Sequence, residues 1–273
     1  MRAFRGEPSI YGNSDPERMR AELKVEGLSL AFGGLMALNN VSLEVKTGEL
    51  LSIIGPNGAG KTSLLNSITG FYHPQRGRII FNGEDITGLP PHEVTKRGIG
   101  RTFQNIELFP GMSVLSNVFL GRHLYCRYGF FPASLFLPSI KREEVRHRRV
   151  VEEIIDFLEM QTIRKKLVGS LPYGMRKRVE LARALALEPK LLILDEPFAG
   201  MTLEEKEDMV RFLKEINGRW NQTIILVEHD MAVVMSISER VIVLNFGEKI
   251  AEGPPDYVKN HPEVIKAYLG EEG

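Results

Sequence analysis

The sequence predicts an α/β fold with a parallel sheet at its centre. Three observations predict it. Four short runs, at 50–54, 191–194, 223–227 and 241–244, are almost wholly apolar, as strands covered on both faces are. Helical periodicity lies between them, most clearly over 202–217. The stretch from about 113 to 187 is helical throughout and interrupts that alternation. Sheets of this kind hold ligands at the carboxyl ends of their strands.

The elements follow in order. Residues 1–20 are polar, with Gly6, Pro8, Gly12 and Pro16, and are expected to form a flexible tail. One domain is expected over 21–273. Leu23, Val25, Leu28 and Leu30 are strand-like, and Val41, Leu43 and Val45 alternate with polar residues. Thr47-Gly48 makes a turn before the first buried strand. A helix over 63–69 turns Leu64, Leu65 and Ile68 inward. In the helical stretch, Val114, Leu115, Val118 and Phe119 form one stripe, and Val151, Ile154, Ile155 and Leu158 another. A helical subdomain is therefore expected at about 105–187. The charges from Lys141 to Arg149 read as the solvated face of a helix, with a docking patch as the alternative. Over 202–217, Thr202 and Glu205 make a capping box, Met209, Phe212, Leu213 and Ile216 share one face, and Asn217-Gly218 is expected to stop the helix.

Composition limits the function. The 273 residues are 43% hydrophobic and 26% charged, with 35 basic and 35 acidic side chains, so the chain lacks the basic excess of a nucleic-acid binder. The richest apolar run, 129–137, falls well short of the roughly 18 residues a membrane span needs. No secretory signal opens the chain. Cys126 is the only cysteine, which fits a reducing compartment. A cytosolic protein is expected, serving any membrane from its surface.

The chemistry begins after the first buried strand. Gly55-Pro56-Asn57-Gly58-Ala59-Gly60-Lys61-Thr62 fits G-x-x-x-x-G-K-[ST] at every fixed position, between a strand and a helix as that motif requires. Its glycines let backbone N–H groups turn toward phosphate oxygens. Lys61 adds a positive charge, Thr62 a hydroxyl for Mg²⁺, and the helix starting near Ser63 its N-terminal partial charge. The run 191–194 ends in Asp195-Glu196. In a phosphate site, Asp195 can hold Mg²⁺ through a water and Glu196 can polarise the attacking water. Alone, the pair has a solvated acidic turn as its alternative reading. His229 follows the strand at 223–227 and can reach a γ-phosphate; alone it reads as a structural histidine. Gln104 can reach the metal or the water from a loop.

These elements, in this order over about 22–270, resemble the ATP-binding subunit of ABC transporters. The resemblance implies a P-loop NTPase fold, with a RecA-like parallel core, an antiparallel β subdomain and the inserted helical subdomain. It implies that Phe32 stacks on adenine, that Gly55 to Ser63 bind the phosphates, and that Thr62, Gln104 and Asp195 serve Mg²⁺. Glu196 is then the catalytic carboxylate and His229 the switch histidine. Leu171-Pro172-Tyr173-Gly174-Met175 stands where the family has LSGGQ, the motif that caps the ATP of the opposite subunit. Pro172 removes the serine hydroxyl and one N–H donor, and Met175 replaces glutamine. Thr202 replaces the D-loop aspartate.

The segments Leu-Pro-Tyr-Gly at 171–174, Gly100 to Asn105, Ala199 to Thr202, Val227 to Met231 and Val264 to Gly270 are similar to one group, the ATP-binding proteins of branched-chain (hydrophobic) amino-acid importers. That resemblance implies a second ATP-binding subunit, commonly a different one. It also implies two membrane permeases contacted near Gln104, an extracytoplasmic binding protein, and a place on the cytoplasmic face of the membrane. The alternatives are an importer for urea or another amino acid, a soluble ABC ATPase of DNA repair or translation, and a module that holds ATP without hydrolysing it. A GTPase would carry N-K-x-D, which is missing from the sequence.

Overall fold

The computed structural model describes residues 20–104, 106–125 and 138–269. The expected tail, Arg20 apart, and the apolar run 129–137 lie outside the described residues. In chain order the first elements are β1 (Leu23–Phe32), β2 (Leu35–Val45), β3 (Leu50–Ile54), α1 (Lys61–Ile68), β4 (Arg76–Phe81), β5 (Glu84–Asp85), α2 (Pro91–Lys96) and β6 (Ile99–Arg101). The helices α3 (Val114–Leu120), α4 (Pro138–Phe157) and α5 (Tyr173–Leu185) follow. Then come β7 (Leu191–Asp195), α6 (Leu203–Trp220), β8 (Thr223–Val227), α7 (Met231–Ile237), β9 (Arg240–Asn245), β10 (Glu248–Gly253), α8 (Pro255–Lys259) and α9 (Pro262–Leu269).

Two sheets form. One is antiparallel in the order β2-β1-β4-β5, and the other runs β10-β9-β3-β8-β7-β6. In the second, β10 is antiparallel to β9 while the remaining neighbours are parallel. The four apolar runs of the sequence are its four central strands. Successive side chains on them face opposite ways. Leu50, Leu192, Leu194, Ile224 and Leu226 join the core formed with α3 to α6, while Leu51, Ile53, Leu191, Ile193 and Ile225 join the core shared with α1 and the antiparallel sheet. Both faces are thus apolar, which is why these strands show no polar alternation.

Helix α6 has the expected cap: Thr202 accepts from the Glu205 N–H, and Glu205 reaches back to the Thr202 backbone. It does not stop at Asn217-Gly218. It runs to Trp220 and ends at Asn221, whose φ of 51° is left-handed. Trp220 is the cause. It is buried, and its ring packs 4.4 Å from that of Phe157 on α4, so the last turn is held by tertiary packing that outweighs the glycine. The Asn217 amide, instead of ending the helix, donates to the carbonyls of Gly48 and Gln222. Over 143–149 the charged run on α4 is mostly solvent-facing, but His147 is buried and its Nδ1 lies 3.2 Å from an Arg122 nitrogen.

Trp220→Ala is expected to cost about 3–5 kcal/mol, measured by urea denaturation. A loss below about 1 kcal/mol would show that the last turn of α6 does not depend on this ring.

Candidate nucleotide-phosphate site

Strand β3 is buried along its whole length and delivers the chain to Gly55. Two glycines set the loop that follows. Gly55 has φ 149°, and a Cβ there would meet the Leu244 carbonyl at 2.1 Å. Gly60 has φ 101°, and a Cβ there would meet the Ala37 carbonyl at 2.7 Å. An L side chain fits neither the backbone angle nor the space. Lys61 Nζ donates to the carbonyls of Gly55 (2.6 Å) and Pro56 (2.8 Å), so the ammonium is already drawn into the loop. Gly60 offers no side-chain cap to α1, which leaves the first-turn N–H groups of that helix for an anion. Thr62 is exposed and Ser63 half-buried at the same end. Left-handed glycines, an uncapped helix start and a lysine together fit a phosphate chain.

Phe32, at the end of β1, is 46% exposed and could present a ring face to a base. Tyr72 meets it edge-on at 5.0 Å. The Gln75 amide fixes the strand end through both the N–H and the carbonyl of Ala31.

The carboxyl ends of β7 and β8 supply the remaining groups. Asp195 is buried, and its Oδ2 is 2.8 Å from Arg101 Nη2. Arg101 also donates to Asn66 and Thr69, so it ties β6 and β7 to α1. Glu196 has φ 49°, a left-handed conformation that costs a non-glycine residue on the order of 1 kcal/mol or more. Its N–H bonds to the Val227 carbonyl at 2.9 Å. That turn aims the carboxylate between two partners. Gln104 Nε2 donates to Glu196 Oε2 at 3.0 Å, and His229 Nε2 lies 2.6 Å from Oε1, where a ring N–H donates. Glu228, buried beside them, accepts from the N–H groups of Phe198 and His229 and so pins both strand ends. Burial pushes its carboxyl above the usual carboxylate range, and those N–H groups oppose the shift.

The structure therefore brings together Gln104, Glu196 and His229, at strand ends next to the loop of β3. Thr62 and Gln104 offer neutral oxygens, and the Asp195 carboxylate is engaged by Arg101. Among the described residues no three His, Cys, Asp or Glu side chains converge to hold a metal. A divalent ion here would take its anionic ligands from the phosphates it accompanies.

The segment 171–175 opens α5. Leu171 is buried, Pro172 is the N-cap residue and makes no side-chain cap, and Tyr173 is exposed. Gly174 packs closely on the Glu205 carboxylate: a Cβ there would lie 2.3 Å from it, and the Glu205 side chain would have to shift. Met175 packs against the helical core. The sequence reading gave no role to Arg101, Glu228 or Tyr72. Arg101 and Glu228 stood inside quoted segments, but their contacts are to partners distant in the chain or to main-chain N–H groups.

A family model described as ABC transporter matches residues 38–199, and one described as branched-chain amino acid ATP-binding cassette transporter matches 248–273. The high-affinity branched-chain amino acid transport ATP-binding protein of Pseudomonas aeruginosa is 39% identical over 92% of this chain and 99% of its own. The protein of that description from Escherichia coli is 39% identical over 91% and 98%. The crystal structure of the ADP conformation of an ATP-binding cassette of an ABC transporter superposes with a TM-score of 0.79, at 32% identity, covering 92% of this chain and 99% of that one.

Arg101→Met would leave Asp195 as a buried charge without its partner. A loss of about 3–5 kcal/mol in unfolding free energy is expected, and an unchanged urea midpoint would contradict the pairing.

Proposed function

The chain belongs to the ABC transporter ATP-binding family, and on that premise we propose that it is the ATP-hydrolysing subunit of an importer for branched-chain amino acids. One observation carries the hydrolytic part: Gln104 and His229 both meet the Glu196 carboxylate, beside a loop shaped for phosphate. The loop from Gly55 to Ser63 holds the β- and γ-phosphates of ATP, with Lys61 as the charge, and the adenine rests on Phe32. Glu196 orients the attacking water, and His229 donates to the γ-phosphate oxygen. Thr62 and Gln104 would hold Mg²⁺, and Asp195, which Arg101 also engages, would serve it through a water. That ion supplies neutralisation of the phosphate charge.

The signature segment Leu171, Pro172, Tyr173, Gly174 and Met175 faces the nucleotide of a second ATP-binding subunit. Pro172 lacks the hydroxyl and the N–H, and Met175 is drawn toward the core, so that nucleotide receives fewer hydrogen bonds from this chain. A different second subunit, forming a heterodimer, suits such unequal halves. Supporting the transport role, a cavity of about 390 Å³ opens between α2, the loop after β6 and α5, lined by Phe71, Val94, Phe103, Phe109, Leu120 and Leu187. Phe71 and Phe109 are about half exposed there. This is the surface on which a permease loop docks. No helix among the described residues is long and apolar enough to cross a membrane. As the family membership supports, the chain works from the cytoplasmic face, beneath two permeases that receive substrate from an extracytoplasmic binding protein. The substrate assignment rests on the relatives and on the match over 248–273.

Glu196→Gln is expected to lower ATP turnover at least about a hundredfold, about 2.7 kcal/mol of barrier, while ATP still binds. Lys61→Ala should instead abolish tight ATP binding. Near-normal hydrolysis in the first variant, or unchanged affinity in the second, would overturn these roles. In the reconstituted complex, binding protein loaded with leucine, isoleucine or valine should stimulate phosphate release severalfold. Stimulation by urea alone would reassign the substrate.

A further inference from the structure

Helix α5 carries Lys177, Glu180 and Arg183 at intervals of three residues, which places them along one face. All three reach the backbone of the loop that follows β6. Lys177 Nζ donates to the Gln104 carbonyl at 3.0 Å. Glu180 Oε1 accepts from the Phe103 N–H at 3.3 Å, and Arg183 donates to the Glu107 carbonyl. The Lys177 and Glu180 side chains are each 2% exposed and pair at 3.7 Å. Burying two such charges costs several kcal/mol per ion, and apolar side chains of similar volume often serve packing as well. Packing alone therefore does not account for them. What they add is a grip on the main chain of Gln104.

Gln104 is held from both ends. Its carbonyl is on Lys177, and its side-chain amide is on Glu196. The same helix begins at Tyr173 and Gly174, the turn that faces the partner's nucleotide. We propose that Lys177, with Glu180 as its counter-ion, is a positioning residue for hydrolysis: it fixes Gln104 against the Glu196 carboxylate in step with α5. A shift of α5 under the partner's nucleotide is thereby carried through two hydrogen bonds to this chain's own Glu196. The inference rests on the assignment of Gln104 and Glu196 to the hydrolytic site.

A double-mutant cycle in the assembled transporter tests it. The variants are Lys177→Met, Gln104→Ala and the two combined, and the readouts are kcat, KM for ATP and ATP affinity. Lys177→Met is expected to lower kcat about tenfold or more with KM within about twofold, because Lys177 does not touch the nucleotide. Added to Gln104→Ala, it should cost less than about twofold further. Lys177→Arg, which keeps the charge and the donors, should restore most of the turnover. Independent, multiplying losses would overturn the proposal, as would a normal kcat in Lys177→Met. Normal turnover in Gln104→Ala would overturn the functional reading and this inference with it. A loss there alongside multiplying effects overturns the positioning role alone. If Lys177→Met does not assemble, Lys177→Gln completes the same cycle and the same non-additivity decides.

Discussion

Val227 stands opposite Ile53 on one neighbouring strand and Asp195 on the other. The site depends on that register. Because β3, β8 and β7 are parallel, their carboxyl ends leave the sheet on one edge, and equal register brings them out at one level. Gly55, Glu228 and Glu196 are the first residues past those levels or close to them. A slip of one residue along β8 would turn every side chain of that strand to the opposite face. It would bury His229 or swing it away, and it would break the bond from the Glu196 N–H to the Val227 carbonyl. The apolar residues on both faces forbid the slip, so the packing of the core also sets the geometry of the polar groups.

Within that frame the polar groups are partnered by one another. Arg101 answers Asp195, Glu228 gathers the N–H groups of two strand ends, and Gln104 and His229 converge on Glu196. Glu196 itself sits in a backbone conformation that few side chains adopt. Strain of that kind persists only where the surroundings determine it. Here they do, through the Val227 carbonyl before the turn and the Glu228 carboxylate after it. The carboxylate is thus aimed by main-chain contacts, while its chemistry belongs to the side chain.

Much of this was legible in the residue order, for physical reasons. Strands covered on both faces leave unbroken apolar runs, and the phosphate loop needs glycines and a lysine at fixed spacing. The capping box of α6 is likewise a local pattern, and it formed as read. What stayed hidden was not local. Helix α6 outran Asn217-Gly218 because Trp220 meets Phe157 from a helix far away in sequence. Strand β6 is three residues long, too short for any periodicity. Lys177, Glu180 and Arg183 look like ordinary helix-surface charges, since their partners are carbonyl and N–H groups that every residue carries. A contact made to the main chain leaves no mark on the identity of the residue it touches.

The glycines of the phosphate loop have a further consequence. Gly60 lies against the Ala37 carbonyl of β2, Gly247 lies against the same carbonyl, and the Gly247 N–H bonds to the Ala59 carbonyl. The loop is therefore clasped between the antiparallel sheet and the turn joining β9 to β10. Its conformational entropy is lost when the protein folds rather than when a ligand arrives. If the loop holds phosphate as proposed, nucleotide affinity is linked to the integrity of β2, a strand outside the parallel sheet, and loosening β2 should weaken phosphate binding without removing a single phosphate contact.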